Sequence, residues 1–158
     1  MEKAHEVLHD AEFALELLEQ CENNRRQFRI LIVACMTLLK TVGQVLVNKN
    51  ADSSIKRITQ EYFHELKINR DKNKIFFEFV ERERNLIIHE YSANLEENDI
   101  EIVYMDGNEA KAFNLGDLYH CLADDEVFDG QDVRDLIGEA IEWWKVQLKN
   151  IEEKLTQY

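Results

Sequence analysis

Apolar and polar residues follow a helical period along most of the chain. Over residues 3–22, and again from about 131 to 155, apolar positions recur every three or four residues, which predicts amphipathic helices. Residues 25–49 are apolar on nearly every side, as in a helix at the centre of a bundle or in an interface. Further helices are predicted from about 54 to 67 and from about 73 to 92.

A different pattern follows these helices. The segments IEIVYM at 100–105 and EAKAFN at 109–114 flank an Asp-Gly-Asn turn, which predicts a β-hairpin. Two strands alone are marginally stable, so we expect the hairpin to lie against the helices. The stretch DLYHCLADD, which begins at Asp117, is expected to form a short helix.

Composition agrees with a helical fold. The chain has 158 residues, no proline and only five glycines, so few residues interrupt helices. This length suits one domain with one core. We therefore expect a single all-α domain over residues 1–158, an up-and-down helical bundle with a small β-hairpin insertion at about 100–114.

Charge is divided unevenly between the two halves of the chain. The net charge is −13, yet the segment from Arg25 to Arg84 has 13 basic and 7 acidic residues, a local balance of +6. The segment from Asn85 to Tyr158 has 5 basic and 18 acidic residues, a balance of −13. A basic middle can present a positive face to nucleic acid, whereas a uniformly acidic protein would repel it. Alternatively, both halves are solvated helix surfaces.

The cysteines and the apolar runs bear on localisation. Cys21, Cys35 and Cys121 are odd in number and far apart, which excludes a disulfide framework and favours a reducing cytoplasm. The N-terminal MEKAHEVLHD lacks the apolar core of a signal peptide. The apolar run ILIVACMTLL at 30–39 is shorter than the ~20 residues that span a bilayer, so we expect a buried helix and no membrane association.

One candidate site is His5-Glu6-Val7-Leu8-His9. It matches H-E-x-x-H, in which two histidines one helical turn apart bind zinc and the glutamate is a general base. Its position at the N-terminus leaves no preceding lobe to form a substrate cleft. We therefore interpret His5 and His9 as surface histidines and expect no metal or cofactor.

A second candidate is RNLIIHEY at 84–91. On a helical wheel Asn85 and His89 lie on the polar side and Arg84 lies on a flank, while Tyr91 is at the edge of the core face. Five residues turn a helix through 500°, so Arg84 and His89 point about 140° apart. The predicted core face contains Phe76, Phe79, Val80, Leu86 and Ile87.

Two arrangements would let Arg84 and His89 meet at one phosphate. The helix can end or distort near His89, or a second protomer can bring its own pair across a two-fold axis, and we favour the second. The simpler alternative is two unrelated polar residues on a helix surface, because such pairs are common.

The stretch from Arg84 to Tyr91 resembles the R-x4-H motif of the HEPN superfamily. In that family the arginine is often followed by a polar residue, here Asn85, and one branch extends the motif to R-x4-H-x-Y, which Tyr91 fits. The motif usually lies late in a helix of a small helical bundle. The resemblance covers residues 3–93 and the last helix, and leaves the hairpin as an insertion.

The resemblance implies a metal-independent ribonuclease without a cofactor, active as a homodimer in which both copies of the motif line one cleft. His89 would deprotonate the RNA 2′-hydroxyl or protonate the leaving 5′-oxygen. Arg84 would bind the scissile phosphate, and Asn85 would orient the imidazole or contact the phosphate. The product would be a 2′,3′-cyclic phosphate, and the protein would be the toxin of a toxin–antitoxin or defence system.

Two other functions stay open. Some HEPN domains are non-catalytic modules that accompany a nucleotidyltransferase, and the acidic C-terminal half favours a protein partner. In the H-x-Y branch the tyrosine, here Tyr91, can be adenylylated by a nucleotidyltransferase that acts as antitoxin; otherwise its ring completes the core. The last alternative is a structural bundle that dimerises through its apolar second helix.

Overall fold

The computed structural model describes residues 1–21, 24–48, 53–91, 95–122 and 127–157; within the strands, the described side chains are those of 103–113, 121 and 122. These residues form five α-helices and one two-stranded antiparallel sheet. The elements are α1 (Glu2–Glu19), α2 (Arg25–Leu46), α3 (Ser53–Ile68), α4 (Glu81–Glu90), β1 (Leu95–Asp106), β2 (Glu109–Leu122) and α5 (Val133–Thr156). The predicted all-α bundle with a small β-hairpin is confirmed.

The core lies between α2 and α5, and α1, α3 and α4 pack around these two helices. Trp144 on α5 and Phe79 before α4 are the largest fully buried side chains. The 3.6-residue period of α5 predicts one apolar face that packs into the core. The residues of that face are buried, except Leu155, which is half-buried. Buried positions on this helix are Val133, Leu136, Ile137, Ala140, Ile141, Trp144, Gln147, Leu148 and Ile151.

Helix α2 is apolar on more than its core face. By length and composition alone, it is able to cross a bilayer. Of its most apolar stretch of 18 residues, 33% is buried within the bundle. Its core-facing residues contact the other helices, while Leu31, Val33 and Leu38 are half-buried and Ile30 is 52% exposed. The helix therefore lies in the bundle and also presents a partly apolar outer side.

Asn73 organises the chain between α3 and α4. Its side-chain nitrogen donates to the carbonyl oxygens of Leu66 and Asn69, at 3.3 and 2.9 Å, and its oxygen accepts from Trp143 Nε1 at 2.9 Å. A 3₁₀ turn (Arg70–Lys72) precedes it and a π-helical segment (Ile75–Val80) follows it. These bonds tie the end of α3 and the start of the π-helical segment to α5.

The hairpin is longer than predicted. Leu95–Asp106 pairs with Glu109–Leu122, with a register shift between Asp99 and Glu101, and Gly107 in the turn has a φ of 67° that glycine adopts readily. The predicted helix in DLYHCLADD is wrong for residues 117–122, which belong to β2, and residues 123–125 lie outside the described part of the chain. These β2 residues pair with the polar segment that begins at Leu95, whose sequence has little β propensity.

Among the described side chains of the hairpin, those at its base pack against the helices. Cys121 and Leu122 are buried there, and Cys121 forms a bridge with Asp132 just before α5. Towards the turn, Val103, Met105 and Phe113 are 67%, 66% and 58% exposed. The expectation that the hairpin lies against the helices therefore holds for its base and fails for its tip.

Candidate functional site

A π-helical segment sets the orientation of α4. Sequence periodicity predicts one regular helix from about 73 to 92, but Ile75–Val80 has the wider π-helical turn and the α-helix begins only at Glu81. The wider turn lets five of its six residues face the core. These buried residues are Ile75, Phe76, Phe77, Phe79 and Val80. Phe77, which is not on the core face predicted by the wheel, is therefore part of the core.

Long-range contacts hold α4 against α2. Lys40 of α2 forms an ion pair with Glu81, the first residue of α4, and its ammonium lies 5.1 Å from the centroid of the Phe76 ring. Within α4, Ile87 is buried as predicted, whereas Leu86 is only half-buried. The helix is thus fixed at its beginning by charge and near its end by apolar packing.

The polar residues of the motif lie on the outside of α4. Asn85 and His89 are exposed and Arg84 is half-exposed, as the wheel predicts. Arg84 Nη1 donates to the side-chain oxygen of Asn85 at 3.1 Å. This bond orients the guanidinium alongside Asn85, and it uses one of the five N–H groups, which can also donate to acceptors such as phosphate oxygens.

The structure does not bring Arg84 and His89 together within one chain. Both belong to the regular helix Glu81–Glu90, so they point about 140° apart. In the part of the chain that the structure describes, no hydrogen bond or ion pair joins them. The helical distortion lies before Glu81 and not between the two residues, so it does not redirect one towards the other.

Tyr91 departs from its predicted place. The expected ring at the core edge is instead 64% exposed. The helix ends at Glu90, and Tyr91 has left-handed backbone angles, φ 51° and ψ 32°, while its N–H donates to the Ile87 carbonyl at 3.0 Å. A left-handed residue reverses the chain direction after a helix, and this reversal swings the ring away from the core.

Arg29 is a residue of this region that sequence reasoning missed. Its guanidinium carbon lies 5.5 Å from the centroid of the Tyr91 ring, a cation–π contact between α2 and the end of α4. Arg25 and Arg26 precede it in the first turn of α2. The sequence shows that three arginines lie near the start of α2. It does not show that Arg29 contacts Tyr91, because that contact depends on how two distant segments pack.

Glu83 is a buried charge in the middle of α4. It is 2% exposed and accepts from Nη2 of Arg82 at 3.0 Å and from Nε at 3.2 Å. The sequence does contain the signal, since Glu83 lies four residues after Phe79 and four before Ile87, on the core stripe. A carboxylate at such a position needs a partner, and Arg82 supplies one.

His5 and His9 contact different carboxylates. His5 Nε2 lies 2.7 Å from Oε1 of Glu152 on α5. His9 Nδ1 lies 2.8 Å from Oε2 of Glu12, which is on α1 like His9 itself. Within the described residues, no group of three or more His, Cys, Asp or Glu side chains is placed to hold a metal ion. In this structure the two histidines of the H-E-x-x-H sequence therefore each contact one glutamate.

The exposed end of α4 thus carries several chemically capable groups. The groups are the guanidinium of Arg84, the amide of Asn85 and the imidazole of His89. A second guanidinium, that of Arg29, lies nearby in contact with Tyr91. Such groups can bind a phosphodiester and move a proton without a metal. No protein-family model, curated protein or solved structure matches this chain.

Proposed function

We propose that this protein is a metal-independent endoribonuclease of the HEPN type, a homodimer that works in the cytoplasm as a toxin or defence effector. The observation that carries the proposal is that the half-exposed Arg84 and the exposed Asn85 and His89 all lie on the last two turns of α4. The three free cysteines of the described chain are consistent with a reducing compartment.

The proposed reaction is an internal transfer at phosphorus. The RNA 2′-oxygen attacks the adjacent phosphorus, the bond to the 5′-oxygen breaks, and the products are a 2′,3′-cyclic phosphate and a 5′-hydroxyl. His89 accepts the proton of the 2′-hydroxyl or donates one to the leaving 5′-oxygen. Arg84 stabilises the negative charge that develops on the phosphoryl oxygens, because its guanidinium stays protonated. Asn85 positions that guanidinium through their hydrogen bond.

The surface beside α4 favours a polyanion. Arg25, Arg26 and Arg29 lie in the first turns of α2, next to the end of α4 through the Arg29–Tyr91 contact. The amino end of a helix also carries a partial positive charge. Together they supply positive charge near the end of α4 in a protein of net charge −13, and positive charge contributes much of the affinity for a nucleic-acid backbone.

Geometry favours a site made by two protomers. A single straight helix directs Arg84 and His89 about 140° apart, so one copy presents them to different directions. In the proposed homodimer, Arg84 of one protomer and His89 of the other face one phosphate across a two-fold axis. The partly apolar outer side of α2, with Ile30 52% exposed, is available for such an interface.

The test of activity is cleavage of a fluorescent single-stranded RNA in EDTA. We expect the wild-type protein to release a product that ends in a 2′,3′-cyclic phosphate. His89→Ala should lower the rate by about 100-fold or more, the usual worth of a general acid or base. His64→Ala, at an exposed histidine on α3, is the matched control and should keep full activity. Equal rates for these two variants would refute the proposal.

A second candidate function is a binding module for a nucleotidyltransferase. It is favoured by the tip of the hairpin, where Val103, Met105 and Phe113 expose apolar side chains. Tyr91, also exposed, would be the tyrosine that such a partner adenylylates. Under this alternative His89→Ala has no effect on RNA, while Met105→Asp disrupts a stable complex with the partner.

A further inference from the structure

A cavity separate from the motif residues lies between α2, α3 and the π-helical segment. Its volume is about 300 Å³, at the lower end of the roughly 300–1,000 Å³ of small-molecule sites. Its walls are largely apolar and include the rings of Phe63, Phe76 and Phe77. Short π-helical segments occur often at functional sites, and here the segment supplies two of the three rings.

The aromatic rings that line the cavity pack against other aromatic side chains. The centroids of Phe63 and Phe76 lie 6.3 Å apart, and the Phe76 ring also stacks on Trp143 at 4.8 Å with the planes 10° apart. Gly43 lines the cavity because α2 comes very close to the core there. A Cβ at this position would lie 3.0 Å from Trp144 Cη2 and 3.2 Å from Phe63 Cζ. The cavity is therefore bounded by packed aromatic side chains and is not a gap between mobile loops.

Charged groups converge on the same cavity. Lys40, Lys67 and Glu81 line it, a local charge of about +1 at neutral pH. Lys40 and Glu81 form an ion pair with each other. Lys67 is exposed and has no ion-pair partner among the residues that the structure describes. One ammonium group is thus available to a ligand at the edge of an apolar, aromatic-lined space.

We propose that this cavity binds a small planar aromatic molecule with one negative charge. The flat body would pack against the rings of Phe63 and Phe76 on the side that faces the cavity, where face and edge contacts are available. The anionic group would contact Lys67 at the opening. The site is independent of the proposed ribonuclease, because Arg84, Asn85 and His89 do not line the cavity.

The binding test uses 2-naphthoate as the probe and 2-naphthol as its uncharged counterpart. Backbone amide shifts are followed by NMR during titration of the full chain, and affinity is measured by calorimetry. We expect saturable shifts at Gly43, Gln44 and Phe63, with a Kd of about 1 mM or tighter for the naphthoate. We expect binding of the naphthol at least about fivefold weaker, since it lacks the charge that Lys67 contacts.

Two variants and a control locate the binding. Lys67→Glu reverses the charge at the opening and should weaken naphthoate binding at least about fivefold, whereas Lys149→Glu makes the same change on an exposed face of α5 and should leave the Kd within about twofold. Gln44→Trp adds bulk at the rim and should block binding, with the fold checked by circular dichroism. The proposal is wrong if no saturable shifts occur at the cavity, or if Lys67→Glu and Lys149→Glu bind the probe equally.

Discussion

The guanidinium of Arg29 lies over the ring of Tyr91, 5.5 Å from its centroid, and joins the first turns of α2 to the end of α4. Tyr91 has a left-handed backbone conformation, which costs a residue with a side chain roughly 1–3 kcal/mol unless its surroundings favour it. The contact with Arg29 and the hydrogen bond from the Tyr91 N–H to the Ile87 carbonyl both stabilise this conformation. The cation–π contact also places the end of α4, two residues after His89, against Arg29 of α2.

The Arg29–Tyr91 contact should be measurable in a double-mutant cycle. We expect Arg29→Ala and Tyr91→Ala to be coupled by about 0.5–1 kcal/mol in urea unfolding, the usual strength of an exposed cation–π pair. Tyr91→Phe keeps the ring and should keep the coupling. Arg26→Ala, on the same turn of α2, is the control and should be additive with Tyr91→Ala. Coupling of Arg29 no larger than that of Arg26 would show that the contact does not stabilise the helix end.

The buried hydroxyl of Tyr62 links α3 to α5. It donates to Gln147 Oε1 at 2.6 Å and accepts from Asn150 Nδ2 at 2.9 Å. We expect Tyr62→Phe to lower the free energy of unfolding by about 1–3 kcal/mol, because it leaves the Gln147 oxygen buried without its donor. Tyr104→Phe removes a hydroxyl from the 49%-exposed Tyr104 and should change the free energy by less than about 0.5 kcal/mol. Similar effects of both variants in urea titrations would contradict this assignment.

Two helical glycines should respond differently to alanine. A Cβ at Gly138 on α5 would meet only Leu15 Cδ2 at 3.8 Å, an ordinary contact, so Gly138→Ala should stabilise the protein by about 0.5–1 kcal/mol. At Gly43 the same Cβ would press on the fully buried Trp144, which has little room to move. Gly43→Ala should therefore gain nothing or lose stability. Thermal unfolding of both variants tests the difference, and an equal rise in Tm would show that Trp144 can shift.

The three thiols should react at different rates. Cys35 is fully buried, and burial raises the pKa of its thiol to about 12, so almost no thiolate forms at pH 8. Cys121 is also buried, whereas Cys21 is half-exposed near the end of α1. We expect a disulfide reagent to label one cysteine per chain rapidly in the native state and all three in urea. Cys21→Ser should remove the rapid labelling; its persistence would place the reactive thiol elsewhere.

Much of the helical scaffold could be predicted from local patterns alone. The 3.6-residue periods of α1 and α5 reflect the face that each helix buries against the common core, whereas α2 is apolar beyond its buried face. The outward positions of Asn85 and His89 followed from the same period, because α4 is regular from Glu81 to Glu90.

The parts that could not be predicted depend on distant contacts or on irregular backbone. A regular helix also explains the apolar pattern of the π-helical segment, so the predicted core face leaves out Phe77. Tyr91 would lie near Ile87 if the helix continued, and only its left-handed backbone turns it outward. The final strand residues, 117–122, have the apolar spacing of a helix, and their pairing with residues 95–99 decides their structure.

The central claim is a ribonuclease site shared by two protomers, and RNA cleavage by two purified heterodimers tests it most directly. One heterodimer pairs Arg84→Ala with His89→Ala, so the remaining arginine and histidine lie on different chains. The other pairs the wild-type chain with the double variant, so the same two residues lie on one chain. We predict that the first cleaves RNA at least about tenfold faster than the second, because one straight helix directs the two groups about 140° apart. Faster cleavage by the second, or no cleavage by either, would contradict a site built from Arg84 and His89 of different protomers.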